Sequence, residues 1–98
     1  MEMEPTLRGY VEKVIDEGLK PDVLEDARRF IRSFEPLVKS EADAMFGHLI
    51  GTVRISLFYY VLALYHRTPT PDEISEGFET INRRAQEIRS KIFVATTK

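Results

Sequence analysis

Between Ser40 and Arg67 the chain reads SEADAMFGHLIGTVRISLFYYVLALYHR, and no other segment constrains the architecture as tightly. From Ala44 to Tyr65 the only formal charge is Arg54, and no proline interrupts the run before Pro69. Ser40-Glu41-Ala42-Asp43 opens it as a capping box with Asp in place of Glu. The reading is one helix over about 41–66, close to 39 Å long at 1.5 Å per residue. At about 100° per residue its apolar side chains cover nearly the whole circumference. Phe46, Val53, Leu57 and Leu64 share one face; Ile50, Phe58, Val61 and Tyr65 fall near Arg54; Ile55 and Leu62 lie on a third side. Such a helix calls for burial all round.

The flanking segments carry helical spacing too, and no run alternates long enough for a strand. Leu7, Tyr10, Val11, Val14 and Ile15 form a stripe with Pro5 suited to its first turn and Gly18 to its end, a helix over about 5–17. Arg8–Glu12 and Lys13–Glu17 stand four apart on its outer side. Leu24, Ala27, Ile31, Phe34 and Val38 mark a second helix, about 22–35, with Asp22 as N-cap, widened by Val23 and Phe30 and broken near Pro36. Thr70-Pro71-Asp72-Glu73 is a full capping box with proline at the first helical position. It opens a fourth helix, about 71–93, whose seam Ile74, Phe78, Ile81, Ala85, Ile88 and Ile92 follows heptad spacing. Glu79, Arg83, Glu87 and Lys91 alternate in sign on a solvated face, and 95–98 is expected as a frayed tail. Short linkers make neighbours antiparallel. The fold class expected is all-α, a single domain over 1–98: a four-helix up-down bundle of two short N-terminal helices and a long C-terminal helical hairpin.

The two N-terminal helices reach only about half the length of the third and cannot cover it from end to end. A homodimer packed on the long hairpin resolves this, a two-fold interface being the commonest solution. Gly47 and Gly51, four apart, and the stripe Thr52, Ser56, Ala63 allow close approach of another backbone. Each glycine costs about 1 kcal/mol of helix propensity relative to alanine, so a packing reason is expected.

Bulk composition narrows the function classes. A net charge of −2 argues against a nucleic-acid partner, since phosphate neutralisation rewards basic surfaces. Arg83, Arg84, Arg89 and Lys91, like Arg28, Arg29 and Arg32, are interleaved with acids and lack a stacking platform. There is no cysteine, hence no disulfide and no thiolate chemistry. The acidic opening MEMEPTLRGY is unlike a signal peptide. The apolar run Leu49–Tyr65 is short of the about 20 residues a membrane span needs, and it carries Arg54. No membrane association and a cytoplasmic location are expected. One Asn and one Gln beside 14 basic and 16 acidic residues is a thermophile-like composition.

Arg54 is the most informative polar residue. Inside a buried helix it must be paired with an acid from another helix, snorkel at a dimer edge, or hold an anion. His48 and Tyr59 join it as a candidate ligand site, His48 as a partly buried imidazole and Tyr59 within an aromatic group with Phe46, Phe58, Tyr60 and Tyr65. His48 and His66 lie about 27 Å apart along one helix and cannot share a metal within one chain; His66 suits a helix C-terminus.

Asp72, Glu73, Glu76 and Glu79 form an acidic cluster, with Glu73 and Glu76 the conceivable magnesium ligands. The cluster alone resembles the magnesium-binding helices of all-α nucleotide pyrophosphohydrolases, which pair Glu-x-x-Glu with Glu-x-x-Asp on facing helices, and the chain as a whole is assigned to no family. Here the first half is present once, and Glu41-Ala42-Asp43 has the wrong spacing for the second. Acids also belong in a first helical turn on dipole grounds. No cofactor and no catalytic residue is assigned. The function expected is that of an interaction or regulatory module that works by binding. The alternatives are a magnesium-dependent enzyme acting on a nucleotide or another phosphorylated small molecule, and a nucleic-acid accessory protein.

Overall fold

The fold rests on a computed structural model that describes residues 5–97, with side chains from Leu7 onward. The acidic opening at 1–4 and Lys98 lie outside the described residues. Five helices and no strand occur among the described residues: α1 (Pro5–Gly18), α2 (Pro21–Arg32), α3 (Glu41–Tyr65), α4 (Pro71–Arg83) and α5 (Ala85–Thr96).

The caps explain the boundaries. The Ser40 hydroxyl accepts from the Asp43 amide and starts α3. The Thr70 hydroxyl accepts from the Glu73 amide while the Glu73 carboxylate accepts from the Thr70 amide, a complete capping box for α4. At α2 the N-cap is Lys20, with Pro21 at the first position, rather than Asp22. α2 also ends at Arg32, earlier than the sequence suggested. The amides of Phe34 and Glu35 bond three residues back, to Ile31 and Arg32, so the helix tightens and stops ahead of Pro36.

The expected fourth helix is two. Arg84 leaves helical geometry (φ −104°, ψ 11°) and its amide bonds back to Ile81, three residues earlier. The heptad seam survives the break: Ile81, Ile88 and Ile92 are buried, and Ile74, Phe78 and Ala85 are half-buried. α5 continues to Thr96, whose hydroxyl bonds to the Ile92 carbonyl, so 95–96 of the expected tail belong to the helix.

The core gathers the stripe of α1 (Leu7, Val11, Ile15), Leu24 and Ile31 of α2, the seam of α4 and α5, and one line along α3. That line is Met45, Leu49, Val53, Leu57 and Val61, every fourth residue. A step of four overshoots a helical turn by about 40°, so the buried line winds around α3. It passes from Leu49, where a Cβ on Gly18 would come within 2.6 Å, to Leu57, which lies 3.1 Å from a Cβ placed on Gly77. These two glycines give α1 and α4 their close approach to α3.

Ion pairs bind the helices together as well as running along them. The expected i,i+4 pairs of α1 are replaced: Arg8 faces Glu76, Glu12 faces Arg84, and Glu17 faces Lys20. Glu41 takes both Arg28 and Arg32 from α2. Of the alternating ladder only Arg83–Glu79 forms, at 3.5 Å, while Glu87 turns to Arg84.

Candidate functional site

α3 is not buried all round. Gly47, Gly51, Ile55, Phe58 and Leu62 form an exposed stripe along its outer side, with Ile55 58%, Leu62 40% and Phe58 39% exposed. The spacing of these residues, four or three apart, is that of one helix face. It lies opposite the winding buried line. α1, α2, α4 and α5 all pack against α3, and among the described residues the stripe stays open to solvent. A Cβ added to Gly47 or Gly51 would meet no atom within 4 Å, so these glycines serve no packing inside the protomer.

Arg54 is exposed; among the described residues it makes no ion pair, so of its three expected roles the pairing with an acid of another helix does not occur there. It stands at the α4 flank of the stripe, where it lines a shallow groove with Phe58, Tyr59, Pro69, Ile74 and Phe78. The reason is the partial cover of α3: the groove is open, and the charge keeps its water.

His48 is likewise exposed rather than half-buried. It faces the other side, its ring 5.9 Å from that of Phe30 on α2. Tyr59, 61% exposed, meets Phe58 edge to face at 5.6 Å. The structure therefore places Arg54 and Tyr59 along one groove and His48 along another. The aromatic group is dispersed as well. Tyr60 stacks on Tyr10 at 4.1 Å, Phe46 lies under Arg89, and Tyr65 lies under Arg67.

The Glu73 carboxylate is fully engaged. Arg67 donates to both its oxygens, at 2.8 and 3.1 Å, and the Thr70 amide donates to one of them. The Arg67 hydrogen bonds, opposed by burial and reinforced by the Thr70 amide, hold its pKa down at about 2. Its partner Glu76 reaches Arg8 at 3.5 Å. No group of three or more metal-ligating side chains occurs among the described residues.

Within the basic clusters, Arg28, Arg32, Arg83 and Arg84 are paired with acids. Arg84 holds Glu12, Asp16 and Glu87 at 2.6 to 3.0 Å, and these hydrogen bonds, with Glu87 foremost, raise its pKa further. Glu41 is partly desolvated, which pushes its pKa up, but hydrogen bonds from Arg32 and Arg28 outweigh this and hold it low.

Sequence reasoning missed an exposed apolar patch at the end of α2. Phe30 and Phe34, assigned to the core, stack edge to face at 5.3 Å in the open, with Leu37 83% exposed beyond them. The short reach of α2 was the available signal, since residues beyond its last turn have no helix to pack against. Through the Phe30–His48 contact this patch continues onto the outer side of α3. Compared with protein-family models, curated proteins and solved structures, the chain matches none.

Proposed function

We propose that this chain is a small homodimeric helical protein, cytoplasmic, that acts by binding as an interaction or regulatory module. In this reading α1, α2, α3 and the α4–α5 arm stand as an up-down four-helix arrangement with its last member interrupted. The observation that carries the proposal is the uncovered apolar side of α3. A contiguous apolar surface on a water-soluble chain marks a place where something else binds.

α3 is long and apolar enough to cross a membrane by length and composition, with only 22% of its most apolar stretch buried. Two features favour a protein surface over lipid. Arg54 stands midway along the helix, where a bilayer centre exacts several kcal/mol. The helices packed beside α3 also turn charged residues outward, including Lys13, Glu17, Glu25 and Arg29, and would have to enter hydrocarbon with it. The magnesium-enzyme reading has no such support, because the Glu73 oxygens are already spent on Arg67 and Thr70.

Native mass spectrometry of the untagged chain tests the proposal. Twice the mass of 11.4 kDa at micromolar concentration is expected, returning to the single mass in Ile55→Asp or Leu62→Asp. A single-chain mass for the unaltered protein at every concentration overturns it. Retained extra mass on the dimer would instead direct attention to the Arg54–Tyr59 groove as a ligand site.

A further inference from the structure

We propose that the uncovered side of α3 receives the same side of α3 from a second copy, running antiparallel, in one particular register. This rests on the dimer reading above and specifies its surface. The exposed stripe is divided by size: its N-terminal half is Gly47 and Gly51, and its C-terminal half is Phe58 and Leu62, with Ile55 between them. The spacing is palindromic. Antiparallel pairing about a two-fold axis between Arg54 and Ile55 sets Gly51 opposite Phe58 of the second copy and Gly47 opposite its Leu62. The same register brings half-buried Ala44 opposite Tyr65. Each large side chain meets a gap left by a small one, and Ile55 meets its own counterpart near the axis.

The parallel alternative sets Phe58 on Phe58 and Leu62 on Leu62 while leaving the glycines facing each other across a void, a poor match for close packing. The outward-opening glycines are the independent sign. They weaken α3 and return nothing within the protomer, whereas two helices approaching over them gain contact. Charge agrees with the antiparallel sense, since Asp43 in the first turn of α3 falls at the level of His66 of the second copy. Arg54 lies at the flank of the stripe, where its long side chain keeps the guanidinium in water.

The absence of native cysteine allows a clean test by single-cysteine variants treated with a short bismaleimide, each checked for dimer mass by sedimentation at tens of micromolar. Ile55→Cys is expected to cross-link to itself in most of the protein. Leu62→Cys and Gly47→Cys are each expected to stay uncrosslinked alone, because equivalent positions lie about 22 Å apart in this register, and to cross-link when the two variants are mixed. Self-cross-linking of Leu62→Cys as efficient as that of Ile55→Cys overturns the antiparallel register. Dimer mass without any of these cross-links assigns the interface to another face; either result leaves the dimer reading standing. A monomer of the unaltered chain that binds phosphatidylcholine–phosphatidylglycerol vesicles makes lipid the occupant and overturns both.

Discussion

Glu73 shows how one side chain can serve two structural duties and thereby leave the pool of candidate ligands. It caps α4 and holds Arg67 across the turn from α3, and its pKa of about 2 reflects both. A carboxylate depressed in the folded state contributes stability that is fully present above its unfolded pKa, about 4.5, and is lost as pH falls through the folded value. Glu73 therefore stabilises the protein at neutral pH, and that contribution drains away between about pH 4.5 and 2. Glu73→Gln is expected to cost about 2 kcal/mol at pH 7, allowing for screening at the half-exposed Arg67, and almost nothing near pH 2. Urea titrations across that window read the difference; a deficit as large at pH 2 as at pH 7 would assign the loss to packing. Arg84 is the other residue on which much converges. Its guanidinium joins α1 to α5 through Glu12, Asp16 and Glu87, and is itself mostly buried. Arg84→Gln leaves three carboxylates facing one another, and a loss of about 1–2 kcal/mol is expected in chemical denaturation, moderated by the exposure of the acids.

At the scale of elements, α3 and the α4–α5 arm illustrate opposite relations between helix and neighbour. The arm breaks at Arg84 yet keeps its seam against the core. α3 runs unbroken over 25 residues with its partners covering only part of its girth. Its glycines divide accordingly. Gly18 and Gly77 accept Leu49 and Leu57 into space a Cβ would fill, whereas Gly47 and Gly51 open outward. Gly51→Ala should then strengthen the isolated protomer by up to about 1 kcal/mol through helix propensity. It should also weaken self-association, because the added methyl stands where Phe58 of the second copy is proposed to seat. Thermal melts followed by circular dichroism, run dilute and concentrated, separate the two effects: the dilute midpoint rises and the gap between the two midpoints narrows.

For the whole molecule, the dimensions carry the argument. The radius of gyration is 14.3 Å. A compact chain of this length has about 12.6 Å. The extents of 40 × 23 × 21 Å describe a rod laid along α3. A rod of this length built on one long helix has more flank than four shorter helices can cover. If a second copy supplies the missing cover, stability is linked to concentration by mass action. The thermal midpoint is expected to rise by several degrees between 1 and 100 micromolar protein, and Ile55→Asp is expected to abolish that dependence while keeping the helical signal. A midpoint independent of concentration in the unaltered chain would mean that the folded unit is the single chain.

The helices themselves were legible because their causes are local. Thr70-Pro71-Asp72-Glu73 forms the box its residues spell, Ser40 caps α3, and the stripe Leu7, Val11, Ile15 is buried as its period implies. The surplus of apolar residues on α3 was also legible, since it follows from counting side chains around one helix. Tertiary packing alone decided which side of α3 stays open, because that depends on where α1, α2, α4 and α5 come to rest. It consequently decided that Arg54 and His48 face water and that Phe30 and Phe34 leave the core. It also chose the ion pairs: Arg84 takes Glu12 and Asp16 from α1, and Glu73 takes Arg67, by proximity between segments that no helical spacing reveals. Periodicity along a chain determines what a helix must bury, whereas the lengths and positions of its neighbours determine what remains uncovered.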